Sequence, residues 1–152
     1  MERRELIGLA GAMAALAAST TTLAQGQKAG AKAGGHHHHH GGAKTELLLD
    51  AVAECLNKGE LCIAHCIVLM GEGDKSVAGC ARSVSETLAL CEGLRKLAAQ
   101  GSPRAKDMAR LARAACLDCE KECRRHEKKH AECRDCAKAC AACAKECEAF
   151  AA

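Results

Sequence analysis

Five cysteines, Cys133, Cys136, Cys140, Cys143 and Cys147, stand in the run CRDCAKACAACAKEC at intervals of three, four, three and four residues. Thiolate is a soft ligand that selects Cu(I), Zn(II) or iron–sulfur clusters, so a repeated thiol is a candidate metal ligand. The alternating interval marks one stripe of an α-helix. At about 100° per residue the five fall within roughly 80° of one another. Arg134, Asp135, Lys138, Lys145 and Glu146 take other directions. Cysteine thus occupies the places that leucine holds in an ordinary bundle helix.

The other cysteines extend the pattern. A first helix is expected from Thr45, its N-cap candidate, to about Met70, carrying Cys55, Cys62 and Cys66, with Gly59 a local weakness. Gly71, Gly73 and Asp74 make a turn, and Asp74 or Ser76 caps a second helix reaching about Gln100. That helix carries Cys80 and Cys91, three turns apart on one face, with Val84 and Thr87 between them. Ser102 is the N-cap and Pro103 the first position of a third helix, which carries Cys116, Cys119 and Cys123 and reaches about Glu127. Lys128 to Ala131 form the last connection, and the fourth helix runs to about Phe150. Connections this short make neighbours antiparallel, so the expected fold is all-α, an up-down-up-down four-helix bundle with a cysteine-lined core.

Antiparallel order fixes depth. Near the end where the first two and the last two helices are joined lie Cys66, Cys80, Cys123 and Cys136, with Cys133 nearer the rim. Cys62, Cys119 and Cys140 follow, then Cys116 and Cys143, and deepest Cys55, Cys91 and Cys147. At about 1.5 Å rise per residue the thiol column is roughly 20 Å long. His65, Met70, His126 and His130 fall at the joined end and make a mouth; His65 points off the thiol stripe. Leu48, Val52, Leu94, Leu97, Met108, Leu111 and Phe150 make an apolar plug at the other.

The chain has 152 residues, one phenylalanine and no tyrosine or tryptophan. Aromatic platforms for base stacking are missing, and no basic block argues for a polyanion, so nucleic acid is not an expected partner. Arg3 and Arg4 precede an apolar, alanine-rich run ending near Ala24. Residues 1–24 read as a twin-arginine signal peptide, too short to span a membrane, which implies export of a folded protein to the periplasm or another extracytoplasmic compartment. Residues 25–44 read as a Gly/Ala/Lys tether. Its His36 to His40 run suits loose binding of Cu(II), Ni(II) or Zn(II), and is also what an engineered addition looks like. Residues 45–152 form the bundle.

Charge separates the metals. Zinc on four thiolates leaves a net −2 in the core, costly without a partner, and no lysine or arginine faces inward. One Cu(I) per bridging thiolate is neutral. At the mouth a thioether or imidazole binds Cu(I) and can hand it on. The reading is therefore storage of many Cu(I) ions, with no enzymatic reaction. The alternatives are a disulfide-stapled bundle and a zinc or multi-metal buffer. Thiols three residues apart on one helix are poorly placed to pair, and the odd count of thirteen leaves one over. A thiol oxidoreductase needs an exposed cysteine near a helix N-terminus, which only Cys80 and Cys133 approach.

Thiols on all four helices, the CRDCAKACAACAKEC run, the CLDCEKEC stretch before it and the histidines around that connection resemble the bacterial copper storage protein family, in its exported branch. The resemblance covers roughly Thr45 to Phe150. It implies Cu(I) held by the thirteen cysteines, with Met70, His126 and His65 as mouth ligands, a homotetramer, and delivery to copper-accepting proteins.

Overall fold

A computed structural model of the chain describes residues 42–152. The signal-peptide reading over 1–24, most of the 25–44 tether and the His36 to His40 run lie outside the described residues. Helix α1 spans Ala43–Gly71, α2 Ala78–Ala99, α3 Ala105–Arg124 and α4 Ala131–Ala151, with a single 3-10 turn at Lys75–Val77 leading into α2. Each helix packs on two others: α1 on α2 and α4, α3 on α2 and α4.

The sulfur contacts give the directions. Cys62 of α1 touches Cys80 of α2, while Cys55, seven residues earlier, clusters with Cys91, eleven residues later. Opposite movement along the two chains is the mark of antiparallel helices. The same reversal relates α2 to α3 (Cys80 with Cys123, Cys91 with Cys116), α3 to α4 (Cys119 with Cys136, Cys116 with Cys143) and α1 to α4 (Cys62 with Cys133, Cys55 with Cys140). The result is the expected up-down-up-down bundle.

Local chemistry sets the joints. Two turns repeat one solution: Gly73 (φ 97°) and Gly101 (φ 63°) take the left-handed backbone that closes α1 and α2. The following N–H reaches back five residues, Asp74 to Leu69 O at 2.9 Å and Ser102 to Leu97 O at 2.9 Å. Asp74 then caps the next turn, its Oδ1 accepting the Ser76 N–H at 2.9 Å. Other boundaries move. Gly42, not Thr45, precedes α1, and the Thr45 N–H donates to Gly42 O at 2.8 Å, so Thr45 lies inside the helix. Ser102 Oγ accepts the Arg104 N–H at 3.3 Å, and α3 starts at Ala105, two residues after Pro103. It ends at Arg124, so the last connection is Arg125 to His130, longer than expected.

The closed end is built differently from the expectation. Leu48, Val52 and Leu94 are buried, with Leu97, Met108 and Phe150 half-buried against them, but Leu111 is 56% exposed. Ala98, Ala105, Ala109 and Ala112 take the inward places and let the helices approach closely. Gly59 is likewise a packing residue: a β-carbon there would stand 2.8 Å from Leu88 Cδ2. Among the described residues no helix is long and apolar enough to cross a membrane.

Candidate metal centre

All thirteen cysteines are free and buried. Thr87, 2% exposed, is the one buried polar side chain among the described residues, so no lysine, arginine or carboxylate stands among the thiols. Burial follows from the three-four spacing, which puts each thiol on the stripe facing the bundle axis.

The sulfurs converge in overlapping groups whose atoms lie within 4.8 Å of one another. Cys62, Cys66, Cys80 and Cys133 form the group nearest the joined end; Cys62 also meets Cys123 and Cys136; Cys119 meets Cys136 and Cys140; Cys55, Cys91, Cys116 and Cys143 form the deep group. Cys147 follows, 4.0 Å from Cys143. With metal–thiolate bonds of about 2.3 Å, two sulfurs on opposite sides of one ion stand about 4.6 Å apart. The spacing therefore suits ions shared between neighbouring thiolates.

The depth order differs in one respect from that counted along the sequence. Cys133 belongs with Cys62, Cys66 and Cys80 rather than above them, while Cys123 keeps its expected place beside Cys80, 3.4 Å away. The longer connection before α4 accounts for this, since it lowers the first cysteine of α4 into the bundle.

The thiols share protons unequally. Burial, with the charges of Cys80 and Cys62 beside it, pushes Cys66 up. Cys62 is pushed up to about 12: its hydrogen bond with Cys123 favours the thiolate, but those with Cys133 and Cys136, together with burial, outweigh it. Hydrogen bonding with Cys123, 3.4 Å away, draws Cys80 down. Deeper in, hydrogen bonds with Cys140 and Cys143 draw Cys116 down to about 6. A chain of thiols in which some hold protons so that others can ionise is ready to exchange those protons for a soft cation.

At the joined end the four mouth candidates do not converge on one point. Met70, one residue before the end of α1, is half-buried against the core. His126 is half-buried just beyond α3, its N–H donating to Cys123 O at 3.0 Å. His65 Nε2 and His130 Nδ1 are 2.9 Å apart, their ring centroids 4.9 Å apart, and Glu132 lies 3.7 Å from His65. One helix's periodicity cannot reveal this pair; its His65 borders an outer groove of about 500 Å³ between α1 and α4, beside Leu61, Val68 and Ala131.

The sequence profile of the copper storage proteins, Csp, matches residues 41–152. The chain belongs to the copper storage protein family. Apo-Csp3, copper storage protein 3 from Bacillus subtilis, is similar at 30% identity with a TM-score of 0.63, over 71% of this chain and 99% of that one. The Cu(I)-bound copper storage protein BsCsp3 is similar at 28% identity with a TM-score of 0.64, over 72% of this chain and 99% of that one. Ccsp of Streptomyces lividans, in a structure loaded with 10 copper equivalents, shares the fold at 20% identity and a TM-score of 0.66, over 71% and 83% of the two chains. No curated protein matches the chain. The copper storage fold accounts for a column of thiols on every helix of a bundle this small.

Proposed function

We propose that this member of the copper storage protein family holds many Cu(I) ions on its thirteen buried thiols. The observation that carries the reading is the continuous network of free, buried sulfurs with no buried cation among them. Each Cu(I) that replaces a thiol proton leaves the core neutral, whereas zinc on four thiolates leaves two uncompensated charges. The family's Cu(I)-bound relative BsCsp3 supports the same ion. No catalysis is assigned to the chain.

Loading starts at the joined end. Met70 offers a thioether that needs no deprotonation, and His126, beside Cys123, offers an imidazole that releases the ion readily; His65 and His130 stand further out as a collecting pair. Among the described residues the closed end surrounds the column with leucine, valine, methionine, phenylalanine and alanine side chains. The exposed Leu61, Ile67 and Val68 of α1 suit burial against a second copy in a homotetramer. Export by the twin-arginine route fits a protein that must keep its thiols reduced until they are filled, and copper-accepting proteins outside the membrane are the expected recipients.

Thiol counting tests the ligand set. The reduced protein unfolded in the presence of a maleimide should label at all thirteen cysteines, and the same protein loaded with Cu(I) and left folded should label at none. Fewer than about six protected thiols after loading would refute a store built on the whole column.

A further inference from the structure

The sulfur network has a waist. Nearer the mouth, Cys62 touches Cys80, Cys123 and Cys133 at 3.9 to 4.0 Å, and Cys119 touches Cys123 and Cys136 at 3.9 and 4.0 Å. Deeper, Cys55, Cys91, Cys116 and Cys143 form one group, with Cys147 beyond. Cys140 belongs to both sides. Its sulfur is 4.0 Å from Cys136 and 3.9 Å from Cys55, and it also interacts with Cys116. Among the described residues no other sulfur contact within 4.0 Å joins the two sets.

The other half of the bundle is closed at this level. Between Cys55 and Cys62, α1 presents Gly59, and between Cys80 and Cys91, α2 presents Val84 and Thr87. The space beside Gly59 is filled by Leu88 and Val84, whose nearest atoms stand 2.8 and 3.7 Å from where a β-carbon would be. Val84 is 1% exposed, and the Thr87 hydroxyl is engaged, donating to Ala115 O at 3.1 Å. Hydrocarbon and a hard, occupied oxygen offer Cu(I) nothing.

We propose that Cys140 is the relay through which Cu(I) passes between an outer and an inner thiolate store. This rests on the storage reading and adds a route to it. The Cys140 sulfur bonds the ion as the bond to Cys136 breaks, and the Cys140 proton passes to the Cys136 thiolate left behind. Cys55 then takes the ion in the same way and returns its proton to Cys140. Copper remains Cu(I) throughout, and no electron moves.

The test is anaerobic stopped-flow loading of the reduced full chain from a coloured Cu(I)–chelator complex. Wild type, Cys140→Ser, Cys91→Ala and the double variant Cys140→Ser with Thr87→Cys are compared. For Cys140→Ser the fast phase should stop about six ions short of wild type, since the substitution removes one thiol and Cys55, Cys91, Cys116, Cys143 and Cys147 lie beyond it. The remainder should load at least about tenfold more slowly, an added barrier of about 1.4 kcal/mol or more. Cys91→Ala should end about one ion short at the wild-type rate. Thr87 already interacts with Cys119 and lies four residues before Cys91, so a sulfur there opens a second path, and the double variant should recover fast loading. That recovery would not follow if Cys140→Ser merely loosened the fold. Single-phase loading of Cys140→Ser at the wild-type rate, short by one ion, would overturn the relay. Wild-type saturation at one or two ions would overturn the storage reading itself.

Discussion

Replacing Cys91 by alanine separates capacity from access. Its side chain is fully buried, and its one sulfur contact within 4.0 Å is Cys116 at 3.8 Å, inside the deep group. Loss of the sulfur removes the burial of roughly one methylene-sized group, about 0.8 kcal/mol, and the small cavity adds about half as much again. The apo protein should therefore lose about 1 kcal/mol, a fall of about 5 °C in Tm for a bundle of this size. Cys55, Cys116 and Cys143 remain and can hold three Cu(I) without net charge, so capacity should fall by about one ion. The uptake rate should not change, because Cys91 lies at the end of a branch. Native mass spectrometry of the loaded protein resolves single copper ions. Unchanged capacity would make Cys91 a packing residue, and slowed uptake would put it on the path; either result refutes the reasoning.

Replacing Met70 and His126 together should slow loading and unloading while leaving capacity nearly unchanged, as followed by chelator exchange; loss of most of the capacity would contradict their placement at the mouth. The stability of the apo bundle should fall as pH rises above 9, the ordinary thiol value, towards the raised values of Cys62 (about 12), Cys66 and Cys133. In that window the unfolded chain ionises these thiols and the folded chain does not. Cys91, Cys123, Cys140 and Cys143 are raised as well. Cys55, Cys80, Cys116, Cys119 and Cys136, drawn down, oppose the trend, but the raised thiols outnumber them and the sign holds. Denaturant midpoints at pH 8 and 10 measure the slope, and a midpoint that rises with pH would be the wrong sign. Gly59→Ala should destabilise the apo protein by about 1 kcal/mol, overpacking against Leu88 exceeding the gain in helix propensity. A stabilised variant would return Gly59 to being a weak point in α1.

The bundle was legible because cysteine spacing is unusually informative. Apolar residues at three-four intervals give a helix face, and here the same residues carry the chemistry, so Cys133 to Cys147 announce both the fold and the candidate ligands. What the periodicity of single helices misses is relative position. Cys133 was expected above Cys66 and Cys80 and lies with them, because the residues from Arg125 to His130 form a turn rather than helix. Leu111 was expected in the plug and is exposed, because four alanines fill the inward stripe there and bring the helices too close for a larger side chain. Gly59 reads as a flaw along α1 and proves to be where Leu88 enters. The His65–His130 pair and the waist at Cys140 are contacts between helices, which no single stretch of sequence displays.

The most direct test of the central claim is an anaerobic titration of the reduced protein with Cu(I) against a chromogenic competing chelator. A neutral thiolate core predicts tight binding up to about one Cu(I) per cysteine, thirteen cysteines being present. Saturation at one or two ions, with few titratable thiols in the purified protein, would contradict the store and favour a disulfide-stapled bundle.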